Sequence, residues 1–313
     1  MRVAALCRAA DDSRRAALML SRLNLAPLRY FRACAAGGPV ARVSSLVVEL
    51  YGRRLHQANA WLAEGLRPER CRGLYGAADG TGSASTPAVA RHKAISEALE
   101  RWAHDETYRG PDRALYGLDV DPTSTGFAAF PGWSAEPARE AAVAEARERA
   151  CLLGWSMGLL RSRRRSIEWP GIDAVELESP WPGTCVILYR RTGAGLVTYG
   201  HAYAPSFVEA CDRALIELGR NEAVLVSASQ EQDPAWRQRA ANVFERRCVF
   251  FSSVEGHARF QERIGAGAGR GWCPDLLIDR AVPGPWSAYA TVWRVLYAPP
   301  VEEFLSEDNV FFW

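Results

Sequence analysis

Long apolar runs and clustered metal-binding cysteines are both lacking in this sequence. No apolar stretch approaches the ~20 residues that a membrane-spanning helix needs, and the first residues have no continuous apolar core like that of a secretory signal. The eight cysteines form no Cys-x-x-Cys pair, and no histidine pair has zinc-binding spacing. We therefore expect a cytoplasmic protein with reduced thiols, no structural zinc and no membrane contact.

A large excess of either charge is also absent. The chain has 38 Lys and Arg residues against 36 Asp and Glu residues, a formal net charge of +2. Proteins that mainly neutralise nucleic-acid phosphates need a clear basic excess, so we expect no nucleic-acid partner. Hydrophobic residues make up 48% of the sequence, which is typical of a folded globular protein. No linker interrupts the chain, which favours a single domain over residues 1–313.

Periodic patterns predict loosely alternating helices and strands, the arrangement of an α/β or α+β fold. Predicted helices run from about Asp12 to Asn24, Pro87 to His104, Ala135 to Leu153, Ser206 to Val226, Trp236 to Arg247 and Val254 to Ile264. Predicted strands cover Ala41 to Leu50, Cys185 to Arg190, Leu196 to Gly200, Cys248 to Ser252 and Ala288 to Tyr297.

Two segments of the chain match each other at an offset of 120 residues. GTGSASTPAVARHKAISEALER, which starts at Gly80, aligns with GHAYAPSFVEACDRALIELGRN, which starts at Gly200. Each has a glycine, a short loop, a helix N-cap and then a carboxylate about three turns into the helix. The matched pairs are Gly80 with Gly200, Ala90 with Ala210, Lys93 with Arg213, Ala94 with Ala214 and Glu97 with Glu217.

Charged residues share one face of each matched helix. Positions three and four apart are neighbours on a helix, so Glu97 and Glu100 adjoin and are flanked by Lys93 and Arg101. On the second helix, Arg213, Glu217 and Arg220 are placed in the same way. These could be ordinary ion pairs on solvated faces. Surface pairs have no reason to recur at matched offsets, however, so the repeat favours converging carboxylates that bind phosphate-associated magnesium.

The matched segments resemble the YcaO family. ISEALERW resembles the family's Glu-x-x-Glu-Arg signature, with Glu97, Glu100 and Arg101 at its positions. RALIELGR, from Arg213, resembles its Arg-Ala-Leu-x-Glu element. YATVWRVLYAPP is similar to a late strand whose arginine contacts ATP, which places Arg294 at that position. The resemblance covers residues 73–300, leaving residues 1–72 as an N-terminal lead-in and 301–313 as a tail.

The resemblance implies two pseudo-symmetric sheet-plus-helix halves around an ATP site without a Walker loop. It implies that ATP activates a backbone amide of a ribosomally made peptide by O-phosphorylation, giving an azoline or, with external sulfide, a thioamide. Magnesium would be bound by Glu97, Glu100 and Glu217. The cofactor contacts would be Lys93, Arg101, Arg213, Arg220 and Arg294. The expected partners are a peptide substrate and a separate leader-peptide-binding protein, and a homodimer is left open.

Two positions depart from the family pattern. Thr81 stands where the family's first glycine turn carries a lysine, and Arg220 stands where cyclodehydrating members often have glutamine. Because arginine cannot ligate magnesium, Arg220 either contacts phosphate or fills the metal position. The second case would give a catalytically silent scaffold or partner subunit. A third alternative is a regulatory protein that binds ATP without peptide-stimulated turnover.

Overall fold

The computed structural model describes residues 23–66, 73–75, 78–230, 235–266, 269, 271–302 and 304–305. These residues form six α-helices and three antiparallel sheets, which confirms the predicted mixed α/β class. The predicted helix from Asp12 to Asn24 lies almost wholly outside the described residues. In the part of the chain that is described, no helix is both long and apolar enough to cross a bilayer.

The first sheet carries the first copy of the repeat. Its strands are β1 (Val40–Leu50), β2 (Arg53–Leu62) and β3 (Gly80–Ala84), in the order β1-β2-β3. Helix α1 (Ala26–Ala33) precedes the sheet, and helix α2 (Pro87–Arg109) follows β3 and packs across β3 and β2. Helix α2 begins as predicted, because the side chain of Thr86 accepts the N–H of Val89 and Pro87 occupies the first turn.

The second sheet carries the second copy. Its strands are β5 (Ser162–Arg165), β6 (Asp173–Leu177), β7 (Thr184–Arg191) and β8 (Val197–Ala204), in the order β5-β6-β7-β8. Helix α4 (Phe207–Gln230) follows the edge strand β8 and packs on β8 and β7. Ser206 accepts the N–H of Glu209 at 3.3 Å, as expected of a helix N-cap.

A third sheet and one long helix join the two halves. The sheet has the order β4-β10-β9, from β4 (Phe127–Phe130), β9 (Leu276–Ala281) and β10 (Thr291–Tyr297). Helix α3 (Glu136–Ser156) packs on β4 and β10 of this sheet and also on β8 of the second sheet. Side chains on α3 can therefore contact the second repeat copy and the sheet that joins the two halves.

One predicted strand is wrong. The segment from Cys248 to Ser252 is not a strand, because it lies at the end of helix α5 (Val243–Phe251) and in the turn before helix α6 (Val254–Gly265). A short apolar run fits a buried strand and a buried helix equally well. The residue before the helix favours the helical form, because the side chain of Asn242 accepts the N–H groups of Phe244 and Glu245 and caps the N-terminus of α5.

Candidate functional site

The two repeat copies are built by the same close contacts between strand and helix. A Cβ atom on Gly80 would lie 2.1 Å from the carbonyl oxygen of Ala94, and one on Gly200 would lie 2.2 Å from that of Ala214. Both strands therefore need glycine to lie directly against their helices. The two contacts are 120 residues apart, so the sequence repeat is also a repeat of the packing.

Matched cations reach back from each helix to its strand. The ammonium of Lys93 donates to the carbonyl of Ser83 at 3.2 Å, and Nη1 of Arg213 donates to the carbonyl of Tyr203 at 3.4 Å. Donor and acceptor are again displaced by 120 positions. Lys93 and Arg213 are both exposed, so their charged groups remain within reach of a ligand.

Glu97 links helix α2 to the backbone of β3. Its Oε2 accepts the N–H of Thr81 at 2.8 Å, and its Oε1 accepts a hydrogen bond from Nη2 of Arg101. Arg101 is itself held by the carbonyl of Ala78 at 3.3 Å. The carboxylate of Glu97 is thus positioned on two sides and keeps about a quarter of its side-chain surface exposed (27%).

Arg220 connects the two halves. Its Nη1 donates to Oε1 of Glu217 at 2.9 Å, and its Nε and Nη2 donate to Oγ of Ser83 at 3.3 and 3.0 Å. Lys93 keeps part of its surface exposed, but the neighbouring side chains desolvate its ammonium and lower its pKa; the charges of Arg220 and Arg213 lower it further, against an opposing effect of Glu217. Lys93, Arg213 and Arg220 therefore form one group of cations whose positive charge exceeds what Glu217 neutralises.

Carboxylates from helix α3 join those from α2. Burial raises the pKa of Glu100 well above its ordinary value, and the charges of Glu145 and Glu97 raise it further. Burial also raises the pKa of Glu145 to about 8, with a further contribution from Glu148. Mutually repelling carboxylates of this kind favour a bound cation. The sequence analysis missed both α3 residues, because the Ala/Glu/Arg-rich pattern of the helix is typical of an exposed surface.

Glu148 holds the edge of β8. Its Oε1 lies 2.7 Å from Nδ1 of His201, and its Oε2 accepts the N–H of Tyr203 at 3.0 Å. His201 is the counterpart of Thr81 in the repeat. The repeat did not point to Glu148, because the counterpart of Glu97 at the offset of 120 residues is Glu217.

Arg294 does not project into the space between the two helices. It is fully buried, and its guanidinium donates to the carbonyl oxygens of four residues in the segment before β4. These acceptors are Tyr116, Asp121, Thr123 and Thr125. Its charge also lowers the pKa of Glu145. Most of its donors are thus used within the protein, and its contact with phosphate stays a prediction.

The predicted metal residues are not gathered at one point. Among the described residues, no three His, Cys, Asp or Glu side chains are already spaced to hold a metal ion. Glu97 and Glu100 lie together on α2, whereas Glu217 is paired with Arg220. Convergence of these three carboxylates on one magnesium ion therefore stays a prediction.

The charges nevertheless fit a metal-bound polyphosphate. Burial and neighbouring carboxylates raise the pKa values of Glu100 and Glu145, so a cation beside them would favour their ionised forms. Desolvation and neighbouring cations lower the pKa of Lys93, so an anion beside it would favour its charged form. Lys93 and Glu97 are one turn apart on α2, so the two groups adjoin. A divalent cation at the first group and phosphates at the second would satisfy both.

Lysine usage gives a further pointer. Lys93 is the only lysine among the 313 residues of the sequence, and every other Lys or Arg position is an arginine. An ammonium is compact and contacts phosphate as a point charge, whereas guanidinium is planar. The only lysine thus lies at a position where a compact cation would contact phosphate.

Comparison with solved structures is informative about the fold. No family model and no curated protein matches this sequence. The structure of YcaO from Methanopyrus kandleri, bound with AMPPCP and Mg2+, is similar at a TM-score of 0.52 and 14% sequence identity. The similarity covers 87% of this chain and 89% of that one. The chain described here therefore has the fold of a YcaO protein.

Proposed function

We propose that this chain binds ATP with Mg2+ and uses it to activate backbone amides in a ribosomally made peptide. The observation that carries the proposal is the group of carboxylates beside the group of cations, on the two helices of the internal repeat. The similar YcaO structure, which is bound with AMPPCP and Mg2+, supports it. The resemblance of the motifs around Glu97 and Glu217 supports it as well.

Each group of residues has a distinct role in this proposal. Glu97, Glu100 and Glu145 would move together to hold the metal ion, and Glu217 would be a further ligand if Arg220 moved away from it. Lys93, Arg213 and Arg220 bind phosphate oxygens, and Arg101 keeps Glu97 oriented through their hydrogen bond. When bound, ATP supplies the γ-phosphoryl group and the magnesium ion offsets its charge.

The proposed reaction would use these residues in the following way. The cations orient the γ-phosphorus toward the amide oxygen, which forms a bond to phosphorus as the bond to the ADP oxygen breaks. A neighbouring thiol or hydroxyl of the peptide then adds to the activated carbon and loses its proton. Loss of the amide proton and of phosphate gives an azoline. If external sulfide adds to the activated carbon instead, loss of phosphate and of a proton gives a thioamide. The protein supplies position and charge and forms no covalent bond to the substrate.

Calorimetric titration of Mg-ATP tests the nucleotide site. Glu97→Gln keeps the shape of the side chain and removes its charge, so we expect at least tenfold weaker binding, about 1.4 kcal/mol. Glu255→Gln is the matched control, because Glu255 is exposed in the first turn of α6. Equal losses in both variants, or no binding to the folded wild type, would remove the proposal.

A catalytically silent scaffold is the second candidate, and the Arg220–Glu217 ion pair favours it. In a scaffold, Arg220 permanently fills the position of a metal ion and binds Ser83 across the two halves. Arg220→Gln discriminates between the candidates. Weaker nucleotide binding in this variant supports a phosphate contact, whereas stronger magnesium-dependent binding indicates that Arg220 blocks the metal.

Substrate delivery forms the last part of the proposal. A separate leader-peptide-binding protein would present the peptide, and both proteins would act in the cytoplasm. Peptide-stimulated ATP turnover that requires this partner would support the arrangement and would exclude a purely regulatory ATP-binding role. The same purified protein, analysed by light scattering, would decide between a monomer and a homodimer.

A further inference from the structure

The outer edge of strand β3 faces the proposed nucleotide site. In the antiparallel pairing of β2 with β3, Ala58 lies opposite Gly82 and Ala60 opposite Gly80. The two-residue turn between β1 and β2 fixes which residues of β2 bond to β1, and the even-numbered ones remain for β3. Thr81 and Ser83 therefore turn their backbone N–H and C=O groups away from the sheet.

Two of these four outward groups bond to side chains that are proposed to bind the metal ion or the nucleotide. Glu97 accepts the N–H of Thr81 at 2.8 Å, and Lys93 donates to the carbonyl of Ser83 at 3.2 Å. Arg220 lies over the same residue through Oγ of Ser83. An edge strand with such groups is a template for another extended chain unless something covers it.

The matched edge of β8 is covered differently. There the N–H of Val197 donates to the carbonyl of Ser252, and the carbonyl of Tyr199 accepts the side-chain amide of Asn221. Glu148 and Arg213 bind Tyr203 further along. Apart from the bond from Arg213, these bonds come from residues outside the proposed phosphate-binding group, and they keep β8 covered. On β3, both hydrogen bonds to the outward backbone come from nucleotide-site residues on one face of α2.

We propose that nucleotide binding opens the edge of β3 to the extended backbone of the peptide substrate. Metal and phosphates draw Glu97 and Lys93 away from Thr81 and Ser83, and the peptide then pairs with these groups as an added strand. Binding is therefore ordered, with nucleotide first and peptide second. This inference rests on the proposed function, because it uses the same nucleotide site.

Backbone pairing suits the proposed chemistry. The reaction acts on a backbone amide, and an added strand places successive amides at a fixed spacing beside the site. Recognition through N–H and C=O groups tolerates varied side chains. Because each ligand favours the same open edge, linkage requires that each raises the affinity of the other by the same factor, about 5- to 150-fold.

Fluorescence anisotropy with a designed probe tests the open edge. The probe is a labelled peptide of about six alternating threonine and valine residues, which favour extended structure. With AMPPCP and Mg2+ present, we expect at least fivefold tighter binding to the wild-type protein. The same peptide with every backbone nitrogen methylated cannot donate hydrogen bonds, and we expect no nucleotide-dependent binding from it. Equal affinity with and without nucleotide would overturn the proposal.

Lys93→Met separates this inference from the proposed function. Loss of the ammonium weakens nucleotide binding but uncovers the carbonyl of Ser83, so peptide binding without nucleotide should become at least threefold tighter than in the wild type. A variant that is merely damaged would lose both. If nucleotide binding fails in the wild type while Lys93→Met still binds the peptide more tightly, the proposed function fails and the covered edge stands.

The single lysine allows a direct measurement of its movement. Reductive methylation with labelled formaldehyde places one pair of NMR-visible methyl groups on Lys93, apart from the terminal amine. We expect their resonance to shift on addition of AMPPCP and Mg2+, and to shift again when the peptide is added. A lysine resonance unchanged by nucleotide would show that Lys93 stays on Ser83, contrary to the proposal.

Discussion

Nδ1 of His201 lies 2.7 Å from Oε1 of Glu148. A carboxylate only accepts hydrogen bonds, so Nδ1 carries the proton in this pair. The other oxygen of Glu148 accepts the N–H of Tyr203. One side chain from α3 therefore fixes both the tautomer of a histidine and the backbone of β8 at the edge of the candidate site.

Removal of Glu148 should affect stability and tautomer together. Glu148→Ala leaves a largely buried N–H and an imidazole without their acceptor, and we expect a loss of about 2 kcal/mol in the free energy of unfolding. Urea denaturation measures this loss, and nitrogen chemical shifts of His201 report the tautomer. Glu148→Gln, whose amide oxygen can still accept from Tyr203, should lose less stability. An unchanged tautomer in Glu148→Ala would contradict the pairing.

The strand glycines of the repeat should resist substitution. In Gly200→Ala, the added methyl would lie 2.2 Å from the backbone nitrogen of Leu218, so strand and helix must separate. We expect a loss of about 1–3 kcal/mol in thermal or urea unfolding. Gly193→Ala is the control, because nothing lies within 4 Å of its added methyl. Similar stabilities for the two variants would show that β8 does not need this close contact.

The sequence was most informative where two independent patterns agreed. Periodicity and N-cap residues located α2 and α4, and self-alignment identified Glu97 and Lys93 as a matched set with Glu217 and Arg213. Their hydrogen bonds to the strands were not predictable, because they depend on which edge of each sheet the helix covers. The apolar run from Cys248 was ambiguous for the reason that short buried strands and helices share one composition.

Residues from α3 were beyond single-sequence reasoning for a different reason. Glu145 and Glu148 lie on a helix rich in Ala, Glu and Arg, and such a pattern predicts a solvated surface. Only the fold packs α3 on the third sheet and on β8 of the second copy and places Glu145 near Glu100 of the first, through contacts far apart in sequence. For Arg294, a motif predicted a role in contacting ATP. Its carbonyl partners belong to an irregular segment, which no sequence periodicity could have revealed.

Arg294 should matter more for stability than for nucleotide binding. Arg294→Met would leave several carbonyl groups without their donor, and we expect a loss of about 3 kcal/mol or more in the free energy of unfolding. Arg280, directly opposite on β9 and exposed, provides the matched control, and Arg280→Met should lose less than about 1 kcal/mol. A folded Arg294→Met variant with a tenfold weaker nucleotide Kd and near-normal stability would instead support the phosphate contact.

The pH dependence of stability should reveal the carboxylate group. Glu145 has its pKa raised from 4.5 to about 8, so between these values the folded protein holds a proton that the unfolded chain has released. Stability must therefore fall as pH rises from about 4.5 to 8, by at most about 1.4 kcal/mol per pH unit from this group. Glu145→Gln removes the titration, so its free energy of unfolding should decline less over this window.

Urea denaturation at pH 5, 6.5 and 8 would measure how the free energy of unfolding changes with pH in the wild type and in Glu145→Gln. Glu255→Gln is a control for the removal of one negative charge. We expect Glu145→Gln to become more stable relative to the wild type as the pH rises, because only the wild type must ionise a crowded carboxyl group. Parallel curves for all three proteins would place the proton elsewhere. Added Mg2+ with AMPPCP should reduce the difference in free energy of unfolding between Glu145→Gln and the wild type at pH 8. A bound cation stabilises the ionised carboxylate of Glu145 in the wild type, whereas the neutral amide of the variant has no charge to stabilise.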